Sequence, residues 1–218
     1  GLGDKVFELN KAAAEISRKA AGDKFVIGSV GPTGKILMMG EVTEEEMYNA
    51  FAEQVKGLEA GGVDAIMIET MTDLDEARLA IRAARENTMC EVFCTMTFDK
   101  SGENSYHTMM GISPTQMVEE LIESGVSIIG ANCGNGIKNM VEIVKEFRNA
   151  NKEIPILIHA NAGAPIYKDG ETCFPESPQV MASFVEQLIA AGANIIGGCC
   201  GTTPEHIRKI AEIIKKIK

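Results

Sequence analysis

Cysteine and asparagine residues follow several short apolar runs of this sequence. Asn132-Cys133 follows one run, Asn161-Ala162-Gly163 follows another, and Gly197 to Gly201 contains the pair Cys199-Cys200. If these runs are parallel strands, their carboxyl ends lie on one face of the sheet. Three thiolates from two strand ends can bind one Zn²⁺ ion tetrahedrally and leave a fourth position for water or substrate. Cys133, Cys199 and Cys200 are therefore candidate zinc ligands, and the alternative is that all three are buried core cysteines.

The six cysteines are too few for the disulfide scaffold of a small secreted protein. Adjacent cysteines rarely pair with each other because the short ring strains the peptide, so a shared metal suits Cys199 and Cys200 better. The remaining cysteines are predicted to be packing or incidental residues: Cys90, Cys94 and Cys173. The three histidines are not predicted to bind metal: His107, His159 and His206.

Three polar residues at the same strand ends are candidates for supporting roles. Glu69 ends a predicted strand and is suited to bind a substrate ammonium group. The alternative is that neighbouring backbone donors or a helix N-terminus satisfy its carboxylate. Asn161 could orient substrate or simply form a loop turn. Asn132 precedes a candidate ligand and could hold that strand end in place through hydrogen bonds.

Composition argues against several functions. A formal charge of −10, from 21 basic and 31 acidic residues, disfavours nucleic acid or an anionic membrane surface as the main partner. The sequence contains no run of roughly 18 apolar residues, which a membrane-spanning helix needs, and its start lacks a signal-peptide pattern. We therefore expect a cytoplasmic protein. The 218 residues, 45% of them hydrophobic, predict one large domain over residues 1–218.

Short apolar runs alternate with longer amphipathic stretches, which is typical of repeated βα units. The predicted strands are Phe25–Ser29, Ala65–Glu69, Glu91–Thr97, Ser127–Ala131, Ile154–His159 and Ala193–Gly197. The predicted helices are Asp4–Ala21, Thr43–Ala60, Asp73–Glu86, Pro114–Ser124, Ile137–Ala150, Pro178–Ala191 and Pro204–Ile217. Three of the strands follow similar glycine-containing helix ends, at Gly61-Gly62, Gly125 and Gly192, where we expect left-handed glycine caps.

The regular alternation favours a (β/α)8 barrel over a doubly wound sheet. Six strands are two fewer than such a barrel contains, and the chain opens on a helix. We therefore expect an N-terminally incomplete barrel whose first two strands are truncated, lost or supplied by another chain. A sheet without these strands would expose two strand edges, which promote aggregation unless another segment covers them.

The motifs resemble those of the homocysteine S-methyltransferase family. The resemblance is carried by Asn132-Cys133, Asn161-Ala162-Gly163 and the stretch from Gly197 to His206, and Ser29-Val30-Gly31-Pro32 also fits the third strand of that family. It implies a (β/α)8 barrel that uses zinc to transfer a methyl group to the thiol of homocysteine, giving methionine, with a zinc-bound thiolate as nucleophile.

The same resemblance implies residue roles and partners. It assigns zinc ligation to Cys133, Cys199 and Cys200, and substrate ammonium binding to Glu69. The family's first strand, whose turn cradles the homocysteine carboxylate, has no counterpart here, and its second strand is absent too. The substrate site is therefore expected to be incomplete and the chain alone to be inactive. Methyl donors vary among relatives, and a corrinoid on a partner protein is the donor system that we favour.

Other functions are compatible with parts of the sequence. The glycine-rich turns and the helix start near Thr203 would also suit a phosphate-binding barrel lyase or synthase. A second alternative is a non-catalytic, zinc-holding subunit that binds a completing chain, and a third is an enzyme acting on a different small thiol or selenol. Met109-Met110 could contact a partner, but we expect these residues to fill gaps in the core.

Overall fold

The computed structural model describes residues 1–103, 105–168 and 170–217. The α-helices are α1 (Val6–Ala21), α2 (Glu44–Ala60), α3 (Leu74–Asn87), α4 (Pro114–Glu123), α5 (Ile137–Ala150), α6 (Pro178–Ala182), α7 (Val185–Ala191) and α8 (Pro204–Ile217). The strands are β1 (Ile27–Val30), β2 (Ala65–Met71), β3 (Glu91–Met96), β4 (Asp99–Gly102), β5 (Ser105–His107), β6 (Ile128–Gly136), β7 (Ile156–Asn161), β8 (Ile166–Lys168), β9 (Glu171–Cys173) and β10 (Ile195–Gly198). Two short 3-10 helices cover Gly3–Lys5 and Leu37–Met39.

The chain forms two compact units. The first contains residues 1–94 and 121–127, and the second contains residues 95–120 and those from 128 onward. The hydrogen-bonded strand order of the six-stranded sheet is β1-β2-β3-β6-β7-β10, and β3 begins in the first unit and ends in the second. The topology is that of an α/β protein.

The first unit is built on β1 and β2, which pair in parallel with Ile27 opposite Ala65. The first four residues of β2 are all buried, as expected for a strand covered on both faces. Helix α2 begins with a capping box in which Thr43 and Glu46 exchange hydrogen bonds between side chain and backbone. Sequence pattern and capping therefore agree on where α2 begins.

The second unit is built on β6, β7 and β10, which pair in parallel in that order. The apolar positions Ile156, Leu157 and Ile158 of the central strand β7 are fully buried. Two antiparallel hairpins, β4 with β5 and β8 with β9, extend from the chain after β3 and after β7. Both hairpins precede helices of the second unit, and the second hairpin lies between Asn161 and α6.

The predicted strands and helices are confirmed, with three differences. The predicted helix Pro178–Ala191 is two helices, because the Ser183 hydroxyl donates to the Val180 carbonyl (2.7 Å) where the first helix ends. The two hairpins were not predicted, and β6 extends five residues beyond its predicted end at Ala131. The left-handed glycines were predicted correctly, with φ of 88° at Gly62, 80° at Gly125 and 114° at Gly192.

The architecture is consistent with part of a (β/α)8 barrel. That two strands of such a barrel are missing, and that the chain is a single domain, stay predictions. The expected packing role of Met109 was wrong, because 69% of that residue is exposed. Among the residues described, no helix combines the length and the apolar character that crossing a membrane requires.

Candidate metal centre

The structure brings the three candidate cysteine ligands together within the second unit. The Sγ atom of Cys200 lies 3.9 Å from that of Cys133 and 3.9 Å from that of Cys199. All three sulfur atoms lie within 4.8 Å of one another, and over the described ranges no histidine or carboxylate joins this group. Zinc–sulfur bonds of about 2.3 Å place tetrahedral sulfur ligands about 3.8 Å apart. The thiols therefore fit a single zinc ion, with one coordination position left open.

Cys133 reaches this cluster because β6 bulges beside β7. Asn132 is opposite His159 and Gly136 is opposite Asn161, so four steps along β6 match two steps along β7. Within the bulge Cys133 has a φ of 60°. This left-handed conformation costs a non-glycine residue about 1 to 2 kcal/mol. The strand therefore departs from regular geometry at the residue that carries the sulfur.

Cys199 and Cys200 lie in the turn that follows β10. The Cys199 amide donates to the Ala160 carbonyl (2.8 Å), and the Cys199 carbonyl accepts from the Thr202 hydroxyl (2.7 Å). Gly201 has a φ of 77°, and a Cβ atom there would lie 2.1 Å from the ring of Phe174. Only glycine suits this position, because both its conformation and its surroundings exclude a side chain.

The two candidate asparagines also lie beside the cysteines. Asn132 is buried, its Oδ1 accepts from the Thr95 hydroxyl (2.7 Å), and its Nδ2 lies 3.8 Å from the Cys199 sulfur. Asn161 is buried as well, and its Oδ1 accepts from the Cys200 amide (3.1 Å). Both side-chain amides therefore contact the chain sections that carry the sulfurs. The role of Asn132 in holding its strand end and a contact of Asn161 with substrate stay predictions.

Burial and mutual repulsion favour protonated thiols in the absence of a cation. Burial is the largest cause that raises the pKa of Cys200 to about 11, and the charges of Cys199 and Cys133 raise it further. Burial also raises the pKa of Cys199, against the opposing effect of the hydrogen bond from Asn132. A bound cation reverses this balance, because it stabilises thiolates. The cluster is thus suited to hold a cation and poorly suited to hold three bare charges.

Glu69 lies in the first unit, near the end of β2. It is half-buried and accepts a hydrogen bond from the Ser29 hydroxyl, and the next residue, Thr70, has a φ of 63°. In the same unit, the buried carboxylate of Glu76 accepts from the amide (2.6 Å) and hydroxyl (2.7 Å) of Thr33. Sequence reasoning did not select Glu76, because a glutamate in the first turn of a helix is ordinarily read as part of a helix cap.

The other cysteines and the histidines lie outside the thiol cluster. Cys94 is fully buried, which raises the pKa of its thiol, Cys90 is half-buried, and Cys173 is exposed on β9. The imidazole of His159 packs over Gly197, and that of His107 lies 2.8 Å from the Ser101 hydroxyl.

His206 is buried in the first turn of α8 and bonded on both ring nitrogens. Its Nδ1 accepts from the Thr203 amide (3.0 Å), and its Nε2 donates to the Glu176 carbonyl (3.0 Å). Neither Glu176 nor this role of His206 was predicted, since the bond joins residues 30 positions apart.

Comparisons with known protein sequences point to one family. The sequence profile described as homocysteine S-methyltransferase matches residues 1–214. The methionine synthase of Mycobacterium tuberculosis (strain ATCC 25618 / H37Rv) is 30% identical over 230 residues, which cover 100% of this chain and 19% of that protein. The methionine synthase of Mycobacterium leprae (strain TN) is 29% identical, covering 99% of this chain and 18% of that protein.

A solved structure extends the likeness to the fold. The apo form of the homocysteine methyltransferase MmuM from Escherichia coli has a TM-score of 0.76 and 22% identity, covering 97% of this chain and 74% of that chain. The chain thus spans about a fifth of the two methionine synthases and about three quarters of the solved chain. With the family profile covering nearly every residue, the chain belongs to the homocysteine S-methyltransferase family.

Proposed function

We propose that this chain is the homocysteine-binding part of a zinc-dependent methyltransferase that methylates the homocysteine thiol to give methionine. The observation that carries the proposal is the cluster of Cys133, Cys199 and Cys200, whose sulfur atoms lie within 4.8 Å of one another. Family membership supports homocysteine as the acceptor, and the names of the methionine synthases support methionine as the product.

Each part of the site has a defined task in this proposal. Zinc, when bound, would lower the pKa of the substrate thiol so that it is a thiolate nucleophile at neutral pH. Cys133, Cys199 and Cys200 hold the ion and leave one position open for that sulfur. The Asn132 side-chain amide nitrogen holds the Cys199 sulfur, and the Asn161 side-chain oxygen holds the Cys200 backbone amide.

Glu69 is proposed to bind the ammonium group of homocysteine. The carboxylate already accepts from Ser29, and its remaining lone pairs can accept from a cationic donor. We further propose that Asn161 helps to orient the substrate, because its position beside Cys200 is close to where the acceptor sulfur would enter.

The methyl donor comes from outside this chain in our proposal. The matched methionine synthases are about five times longer than the region they share with it, so they contain other segments. We propose a corrinoid on such a segment or on a partner protein as the donor system, together with a segment that completes the barrel and the homocysteine site.

Metal analysis and a donor-independent assay test the proposal. The purified protein is expected to contain one zinc per chain and to accelerate methylation of homocysteine by a methyl halide, which replaces the unidentified biological donor. Removal of zinc with a chelator should abolish the acceleration, and added zinc should restore it. A protein that takes up no stoichiometric zinc would contradict the proposal and favour the phosphate-binding alternative, which needs no metal.

A further inference from the structure

The short segment Phe174–Glu176 contacts each chain section that carries a proposed zinc ligand. This segment lies between the hairpin of β8 and β9 and the start of α6. Three glycines leave room for it: a Cβ would lie 2.3 Å from Glu176 at Gly136, 2.9 Å from Pro175 at Gly163, and 2.1 Å from Phe174 at Gly201. The glycines follow Cys133, Asn161 and Cys200 respectively, so the segment fits against all three turns.

The Glu176 carboxylate supplies the N-terminal cap of α5. Gly136 occupies the N-cap position and has no side chain to accept a hydrogen bond. The Oε2 atom of Glu176 instead accepts from the amide of Ile137 (3.3 Å). A carboxylate is also favoured here because the N-terminus of a helix carries partial positive charge. Since α5 begins four residues after Cys133, this contact fixes the end of the bulge that carries the Cys133 sulfur.

The Glu176 backbone connects the other two turns. Its amide donates to the Ala162 carbonyl (2.9 Å), and the Ala162 amide donates to the Cys200 carbonyl (2.9 Å). Its carbonyl accepts from the Nε2 atom of His206 (3.0 Å). The other ring nitrogen of His206 accepts from the Thr203 amide, so His206 also closes the first turn of α8 in the manner of a capping box.

We propose that Glu176 and His206 are positioning residues that hold the three cysteine sulfurs at metal-binding distance. Glu176 connects the start of α5, which follows Cys133, to the turn that contains Cys200. His206 holds the Glu176 backbone against the start of α8. Neither side chain belongs to the group of potential ligands itself. The inference rests on the proposed zinc site and adds to it the residues that set its geometry.

Zinc affinity and the spectrum of the cobalt-substituted protein test this role. Glu176→Ala should weaken zinc binding by about tenfold to a hundredfold, the usual effect of losing a group that orients ligands. It should also shift or weaken the sulfur-to-metal charge-transfer absorption of the Co²⁺ form, which reports sulfur geometry. Glu176→Gln keeps an oxygen acceptor for the Ile137 amide and should recover most of the affinity. His206→Gln, which can both accept from Thr203 and donate to Glu176, should do the same, whereas His206→Ala should not.

Two control variants separate positioning from stability. Glu171→Ala removes an exposed carboxylate of the neighbouring strand β9 and should leave zinc affinity unchanged. Ile210→Ala removes a buried side chain of α8 and should lower the free energy of unfolding without changing zinc affinity, as long as the protein stays folded. The unmodified protein must bind zinc first, and failure there would overturn the proposed function itself. Zinc bound by the unmodified protein and by Glu176→Ala with equal affinity, or lost equally in Ile210→Ala, would overturn the positioning role alone.

Discussion

The two compact units fasten the turn between a helix and the following strand with the same contacts. In the first unit, the Arg18 guanidinium at the end of α1 donates to the Gly62 carbonyl (2.9 and 3.0 Å). In the second, the Arg148 guanidinium at the end of α5 donates to the Gly192 carbonyl (2.7 Å). Arginine and glycine are 44 residues apart in both cases. The two units therefore use the same type of hydrogen bond to hold the turn before a strand.

The residue two positions after each glycine completes the match. Asp64 accepts from the Arg18 guanidinium and from the Val26 amide (2.6 Å). Asn194 accepts from the Arg148 guanidinium (3.1 Å) and from the Ile156 amide (2.9 Å). The Val26 amide and the Arg18 guanidinium both lower the pKa of Asp64, in that order, so the carboxylate is charged where the second unit has a neutral amide.

The opposite ends of the strands differ between the units. The first carries carboxylates, Glu69 and Glu76, bonded to hydroxyl and amide donors, while the second carries the thiol cluster. Strand N-termini in such folds serve stability, and C-termini carry chemistry. We therefore expect substitutions at the arginine turns to change stability alone, and substitutions at the opposite strand ends to change binding.

The largest expected effect is on metal binding in the second unit. Cys199→Ser should abolish stoichiometric zinc and zinc-dependent thiol alkylation, because serine is protonated and a poor zinc ligand. Elemental analysis of the purified variant measures this. Cys173→Ser is the matched control, since that exposed cysteine lies outside the cluster, and it should retain zinc. Unchanged zinc in the Cys199 variant would remove this residue as a ligand.

The next effect concerns the first unit. Glu69→Ala should weaken homocysteine binding to the zinc-loaded protein by about tenfold to a hundredfold, as expected for loss of a hydrogen bond between charged groups. Zinc content should not change. Calorimetric titration with homocysteine measures the affinity, and Glu45→Ala, at an exposed glutamate of α2, provides the comparison. Equal affinities for all three proteins would reject Glu69 as a substrate contact.

The arginine turns should affect stability without affecting zinc. Arg148→Ala leaves the carbonyls of Ile154 and Gly192 without their donor and should lower the free energy of unfolding by about 2 kcal/mol. Arg18→Ala should lower it by about 1 kcal/mol, because its contacts are more exposed to solvent. Urea denaturation and zinc titration of both variants test this pair. A loss of zinc in either variant would contradict the expectation that the arginine turns affect stability and not metal binding.

The smallest effect is a pH dependence of the metal-free protein, because Cys200 is exposed and solvent screens its charge. In the folded chain the pKa of Cys200 is about 11, whereas an unfolded thiol releases its proton near 9.0. Because the raised pKa favours the protonated folded form, its stabilising contribution is complete below about 9 and declines as pH rises towards about 11. Urea denaturation near the two ends of this window should show a smaller loss for Cys200→Ser than for the unmodified protein. Equal losses would show that Cys200 does not titrate in this way.

Local patterns predicted much of the molecule. Short apolar runs located the six strands of the main sheet, and glycine at helix ends located the left-handed turns after α2, α4 and α7. The cysteines and asparagines were selected because strand ends in parallel sheets converge. What the sequence did not reveal is the long-range bonding, such as that of Glu176 with Ile137 and His206, because those pairs depend on how loops pack. The hairpins and the β6 bulge were missed for the same reason.

The left-handed backbone at Cys133 lowers the stability of the fold, whereas the sulfur of the same residue serves the proposed metal site. Glycine at this position would remove the steric penalty of about 1 to 2 kcal/mol and give a chain that is easier to fold. Such a chain would also lose a sulfur atom. Selection for stability alone would therefore discard the cysteine, and its retention would require a selective advantage that depends on the metal centre.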